Sequence, residues 1–264
     1  MLEIKNIYKS FGNLQVLKDI SLTIGKGEIA AIVGPSGAGK TTLLQIAGTL
    51  ERPDSGSVLF NDTELIGMKD KKLSAFRNSN MGFVFQFHQL LPEFTAQENV
   101  ALPALIAGVS KKKAMEKAAN LLTQLGLADR LHHKPAAMSG GERQRTAIAR
   151  ALVNDPEIIF ADEPTGSLDS ANRQEIQDIF VDLRDRLGQT VVMVTHDSSL
   201  AAIADRVIEM ADGKVLPPAI EVEFDTVDMP EDGSLPVVDA LDTGGDTGED
   251  LVGDSVEKVG EAID

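Results

Sequence analysis

Two hydrophobic patterns alternate along residues 1–216. Short continuous apolar runs at 28–33, 157–161 and 190–195 are bounded by polar or turn residues, as strands covered on both faces are. Longer segments at 40–50, 111–125, 141–154 and 170–187 carry apolar residues at helical spacing, with Ile148, Ala151 and Leu152 sharing one face of the third. The alternation predicts an α/β fold around a central, mainly parallel sheet. Residues 2–24 break the pattern and predict two or three antiparallel strands. Glu3, Lys5, Lys9, Lys18 and Asp19 interrupt their apolar positions, so neither a signal peptide nor a membrane span is expected there. No apolar run approaches the roughly 18 residues of a spanning helix, so the expectation is a cytosolic protein that meets a membrane only through a partner.

Charge changes the picture at one boundary. The chain of 264 residues carries a net charge of −16. Residues 219–264 hold fifteen Asp or Glu and one basic residue, Lys258, so the body is nearly neutral and the tail is a polyanion. Pro217 and Pro218 punctuate the junction, and a disordered acidic extension over 217–264 is expected. A second reading takes Val252, Val256, Val259 and Ile263 as the stripe of a short terminal helix that docks on a partner, against the helix-weakening Gly253 and Gly260. The acidity argues against a nucleic-acid partner, which needs a basic face. The absence of Cys removes disulfides, thiolate metal sites and thiol nucleophiles, and His88, His132 and His133 lack metal-ligand spacing and are expected to pack at the surface.

Three motifs carry chemistry. Gly34, Pro35, Ser36, Gly37, Ala38, Gly39, Lys40 and Thr41, followed by Thr42, fit the pattern G-x-x-x-x-G-K-[ST] between a predicted strand and a predicted helix. Glycines let the backbone wrap a β-phosphate, the helix start offers bare N–H groups, Lys40 reaches the β- and γ-phosphates, and Thr41 is placed to ligate Mg²⁺. The run from Ile158 ends in Asp162 and Glu163, where a strand end beside the phosphate loop needs an anion for Mg²⁺ and a base for water. Ser139 and Glu142 make an S-x-x-E capping box, with Gly140 and Gly141 between them. Capping does not require two glycines, so this helix start reads as a second anion site, serving a different nucleotide in a head-to-tail dimer with two-fold symmetry.

With these motifs in order, the sequence resembles the ATP-binding subunits of ABC transporters over about residues 1–215. The resemblance implies a P-loop cassette over 1–216, with an N-terminal antiparallel β subdomain and a helical signature subdomain at about 87–155. It implies ATP and Mg²⁺ as cofactors and ATP hydrolysis as the activity. Phe11 would stack on adenine beside Val16, Gln86 would meet Mg²⁺ and water, and Asp162 would hold the metal with Thr41. Glu163 and His196 would act on the attacking water and the γ-phosphate. Ser139, Gly140, Gly141 and Glu142, together with Asp169 of the dimer loop Ser167-Leu168-Asp169, would serve the nucleotide of the opposite copy. Permease subunits would dock on the region after Gln86, at the cytoplasmic face of the inner membrane. A narrower likeness, carried by 85–100 and by Leu131-His132-His133-Lys134-Pro135, is to the lipoprotein-releasing (Lol-type) ATPases. Macrolide-efflux and cell-division relatives share the stretch from Ala161 to Gly166 and stand as alternatives.

Overall fold

The computed structural model describes residues 1–217; the acidic extension and its apolar stripe lie outside them. Strands β1 (Leu2–Phe11) and β2 (Leu14–Ile24) form an antiparallel hairpin, followed by β3 (Ile29–Val33), helix α1 (Lys40–Ala47), β4 (Ser55–Phe60) and β5 (Thr63–Glu64). Helix α2 (Asp70–Asn80) runs straight into β6 (Met81–Phe85). Helices α3 (Ala96–Ile106), α4 (Lys111–Gln124) and α5 (Gly140–Leu152) come next, then β7 (Ile158–Asp162) and α6 (Ser170–Leu187). β8 (Thr190–Val194), α7 (Ser198–Ala201), β9 (Arg206–Ala211) and β10 (Lys214–Val215) complete the body.

These strands make two sheets. One is antiparallel with order β2-β1-β4-β5, so the N-terminal hairpin gains its third strand from residues far along the chain. The other has order β10-β9-β3-β8-β7-β6, parallel except for β10 at its edge. Consecutive residues of the central strands enter opposite cores, because side chains alternate across a strand. On β3, Ala30 and Ile32 join the layer shared with the antiparallel sheet and α1, whereas Ile29 and Ala31 join the layer under α5 and α6. On β7 the division is the same, Ile158 and Phe160 against Ile159 and Ala161. That two-sided burial is why these runs are continuously apolar.

Helices α3, α4 and α5 enclose a third apolar cluster, built largely from Ala96, Ala101, Ala104, Ala114 and Ala118 with Val100 and Leu122. Small side chains let these helices approach closely. Helix α3 starts on a capping box in which the Thr95 hydroxyl accepts from the Glu98 N–H and the Glu98 carboxylate accepts from the Thr95 N–H. Asn99, fully buried, accepts from the Leu91 N–H and donates to the carbonyls of Leu91, Phe94 and Thr95, tying down the segment that precedes the helix. Among the described residues, no helix is long and apolar enough to cross a membrane.

Candidate active site

Strand β3 delivers the chain to the sheet's C-terminal edge, where residues 34–39 turn into α1. Gly34, Gly37 and Gly39 take φ of 144°, 83° and 96°, backbone that L side chains rarely adopt. A Cβ on Gly34 would also fall 2.0 Å from the Met210 carbonyl oxygen of β9, so a side chain there is excluded twice. Gly39 precedes α1 with no side-chain cap, which leaves the helix's first N–H groups open. The buried Lys40 ammonium donates to the Gly34 carbonyl (2.8 Å) and the Pro35 carbonyl (3.0 Å), so its charge lies over the loop.

Strand β7 runs beside β8 and ends at the same edge. There the Thr41 hydroxyl donates to Asp162 Oδ1 at 3.0 Å. Burial pushes the Asp162 carboxyl above its ordinary value, the Glu163 charge adds to this, and the Thr41 hydrogen bond and Lys40 oppose it. A hydroxyl and a carboxylate that is costly to ionise are the oxygen donors that suit a hard cation such as Mg²⁺. No cluster of three or more acidic, His or Cys ligands exists among the described residues, so a cation here would need phosphate oxygens as well.

Glu163 follows with φ 46°, a left-handed backbone for a non-glycine residue, held by its N–H donating to the Val194 carbonyl of β8 at 2.9 Å. The turn brings the Glu163 carboxylate to His196, with Oε1 2.8 Å from Nδ1. These groups share one cleft of about 500 Å³, lined by Val16, Lys40, Thr41, Gln86, Glu163 and His196 among others.

Phe11 does not itself line the cleft but stands beside Leu14, which does, and the residues expected to serve a second copy's nucleotide are not among its lining. Phe11, 50% exposed, pairs with Leu14 across the hairpin, and the Lys9 ammonium sits 5.0 Å from its ring centroid. Leu14 lines the cleft beside Val16, and nothing in the sequence marks it, since a single exposed apolar residue at a strand's first position makes no pattern. Ser139, Gly140, Gly141 and Glu142 open α5 and do not line this cleft. Their capping box is complete: the Ser139 hydroxyl accepts from the Glu142 N–H at 3.2 Å, and the Glu142 carboxylate accepts from the Ser139 N–H at 2.7 Å and from Arg130 at 2.7 Å. Asp169 likewise caps α6, accepting from the Asn172 N–H. His88 is buried, not at the surface as expected, with a left-handed backbone at φ 62°.

A second depression of about 360 Å³ lies outside the cleft, lined by Arg77, Phe83, Phe85, Gln89, Ile106 and Arg150 among others. Phe87 and Ile106 are 77% and 75% exposed. The Arg150 guanidinium donates to the carbonyls of His88 (2.8 Å) and Gln89 (2.6 Å), fastening the segment after Gln86 to α5.

A glycine loop between strand and helix, with a carboxylate pair at the end of a neighbouring parallel strand, defines a P-loop nucleotide hydrolase. The family model for ABC transporters matches residues 17–166. The chain is 62% identical over 215 residues to the lipoprotein-releasing system ATP-binding protein LolD of Bacteroides thetaiotaomicron, covering 81% of this chain and 99% of that one. It is 57% identical to the protein of the same name from Porphyromonas gingivalis, over 81% of this chain and 97% of that one. Among solved structures, a dimeric bacterial ABC transporter cassette aligns with TM-score 0.77 and 40% identity, over 82% of this chain and 97% of that chain. A dimeric ATP-binding cassette in a post-hydrolysis state with ADP and Pi aligns equally well, at 39% identity and with the same coverage. The chain belongs to the ABC transporter family and is an ATP-hydrolysing cassette.

Proposed function

We propose that this chain is the ATPase subunit of an ABC complex that releases lipoproteins from the inner membrane toward the outer membrane, peripheral to the cytoplasmic face. The Glu163–His196 pair, set in one cleft with the Lys40 loop, carries the hydrolytic part. The cargo rests on the 62% identity to the Bacteroides lipoprotein-releasing relative, which extends over 99% of that protein. Efflux and division readings share the same ATPase site, and no observation favours them.

In this reading Phe11, Leu14 and Val16 take the adenine, and residues 34–42 wrap the phosphates. Lys40 and the open N–H groups of α1 draw charge off the β- and γ-phosphates. Bound at Thr41 and Asp162 with Gln86 nearby, Mg²⁺ would neutralise phosphate charge at the reacting centre. Glu163 orients a water and accepts its proton as the water oxygen bonds to the γ-phosphorus and the bond to the ADP oxygen breaks. His196 keeps Nδ1 on Glu163, leaving Nε2 for a γ-phosphate oxygen. Ser139, Gly140 and Gly141 of a second copy close over that phosphate, which accounts for their distance from their own cleft; the dimeric cassettes among the relatives support this pairing. Helix-capping engages the Glu142 carboxylate, so its part in that closure is to hold the helix start.

Permease subunits then dock along the depression beside Phe87, where Arg150 links the segment to α5. The test is to solubilise membranes containing tagged protein and identify co-purifying subunits by mass spectrometry. Integral subunits with large periplasmic domains, carrying lipoprotein, are expected. Recovery of a single small division-type membrane protein would leave the ATPase chemistry standing and remove the release function.

A further inference from the structure

Gly141 and Asn172 approach more closely than any side chain on Gly141 would allow. A Cβ on Gly141 would lie 2.0 Å from Asn172 Oδ1 and 2.6 Å from its Cγ. Asn172 cannot swing away freely, because its Nδ2 donates to Asp169 Oδ2 (2.8 Å) while its backbone N–H donates to Asp169 Oδ1 (2.9 Å). Both Asp169 oxygens are thereby committed to Asn172, and its carboxyl is held below the ordinary range by those hydrogen bonds. Next to this contact, a Cβ on Gly140 would touch Leu168 Cδ2 at 3.4 Å. One turn along both helices, Arg145 of α5 pairs with Glu175 of α6.

We infer that Asn172 is a positioning residue that joins the signature start at 139–141 to the dimer loop at 167–169, so the two advance on a partner's nucleotide as one body. The inference rests on the reading that both segments face the second copy. It gives Gly141 a reason to be glycine that lies within its own subunit, and it gives Asp169 the work of aiming the Asn172 amide. A catalytic arrangement loosened at such a joint loses turnover without losing nucleotide affinity, since the nucleotide is held by the other subunit's phosphate loop.

The test is steady-state ATPase of the purified complex with its membrane partners, fitted for kcat and KM. Asn172→Ala should lower kcat about tenfold with KM for ATP unchanged, and Asn172→Asp, which sets a carboxylate against Asp169, should do the same. Gly141→Ala should lower kcat by about a hundredfold, and the double variant Gly141→Ala with Asn172→Ala should recover part of that loss, because truncation removes the Oδ1 and Cγ clashes while the Cβ at 3.2 Å stays. Wild-type kcat in Asn172→Ala would overturn the inference. So would a double variant as inactive as Gly141→Ala, because Gly141 would then be glycine for the phosphate alone. Loss of the functional reading is scored separately, by a wild-type complex that hydrolyses no ATP.

Discussion

Glu163 is held in a left-handed backbone by β8, and the strain aims its carboxylate at His196 instead of into solvent. Glu163→Gln keeps shape and hydrogen bonding but cannot accept a proton. Turnover should fall by at least about a hundredfold while ATP affinity stays within about twofold, measured by phosphate release and equilibrium binding. Asp162 supports a second prediction. Burial raises its pKa above the ordinary 3.8, so the folded protein binds that proton more tightly than the unfolded chain does. The resulting destabilisation is absent below the unfolded value and fully present once pH exceeds the raised folded value. Asp162→Asn should therefore raise the melting temperature near neutral pH, by about 2–4 °C for each 1 kcal/mol relieved, with the gain vanishing in acid and hydrolysis lost. Calorimetry across that pH range checks the sign. At this scale Lys40, Thr41, Asp162 and Glu163 were legible because each sits at a fixed place in a strand–loop–helix frame. Leu14, Asn172 and the reason for Gly141 were not, since they depend on contacts between segments distant in sequence.

Helix α5 shows how one element serves both stability and the site. Its capping box satisfies N–H groups at the start, and the hydrogen bond from the Ser139 N–H, then Arg130, holds the Glu142 carboxyl below its ordinary 4.5. A lowered carboxyl stabilises the fold above the unfolded value, and that contribution is lost as pH falls through the folded value. Ser139→Ala should cost about 1 kcal/mol, and Glu142→Gln should flatten the acid side of the stability profile below pH 4.5, both read by urea titration at several pH values. Among the elements, α6 was legible from end to end, and β3, β7 and β8 to within a residue, because two-sided burial leaves unbroken apolar runs. Helix α1 stops at Ala47, short of the predicted residue 50, and α5 spans Gly140–Leu152 instead of 141–154. β6 leaves no boundary in the sequence because α2 ends at Asn80 and the strand begins at the very next residue, Met81. β9 alternates exposed and buried positions at the sheet's side, and α3 carries Pro103, which reads as a breaker although it falls in the last turn.

The described residues carry two surfaces that, in the proposed reading, one nucleotide connects. The cleft is lined by the phosphate loop and Glu163, with Asp162 hydrogen-bonded to Thr41 of that lining, whereas the signature start does not line it and packs on the helix that follows the dimer loop. In that reading a second copy supplies what each cleft lacks, and the Arg150 guanidinium, by fastening the segment after Gln86 to α5, would make the two move together. The motif order made this division legible, but the close packing of α5 on α6 that binds signature to dimer loop needed the fold. Most of the net charge, in 219–264, lies outside the described residues, and the body that does this work is nearly neutral. The most direct measurement is lipoprotein release from proteoliposomes containing this subunit with its co-purified membrane partners, with and without ATP and Mg²⁺. The account predicts release that requires ATP, is lost in Glu163→Gln, and tracks phosphate production. A wild-type complex that hydrolyses ATP while every lipoprotein stays in the bilayer would contradict it.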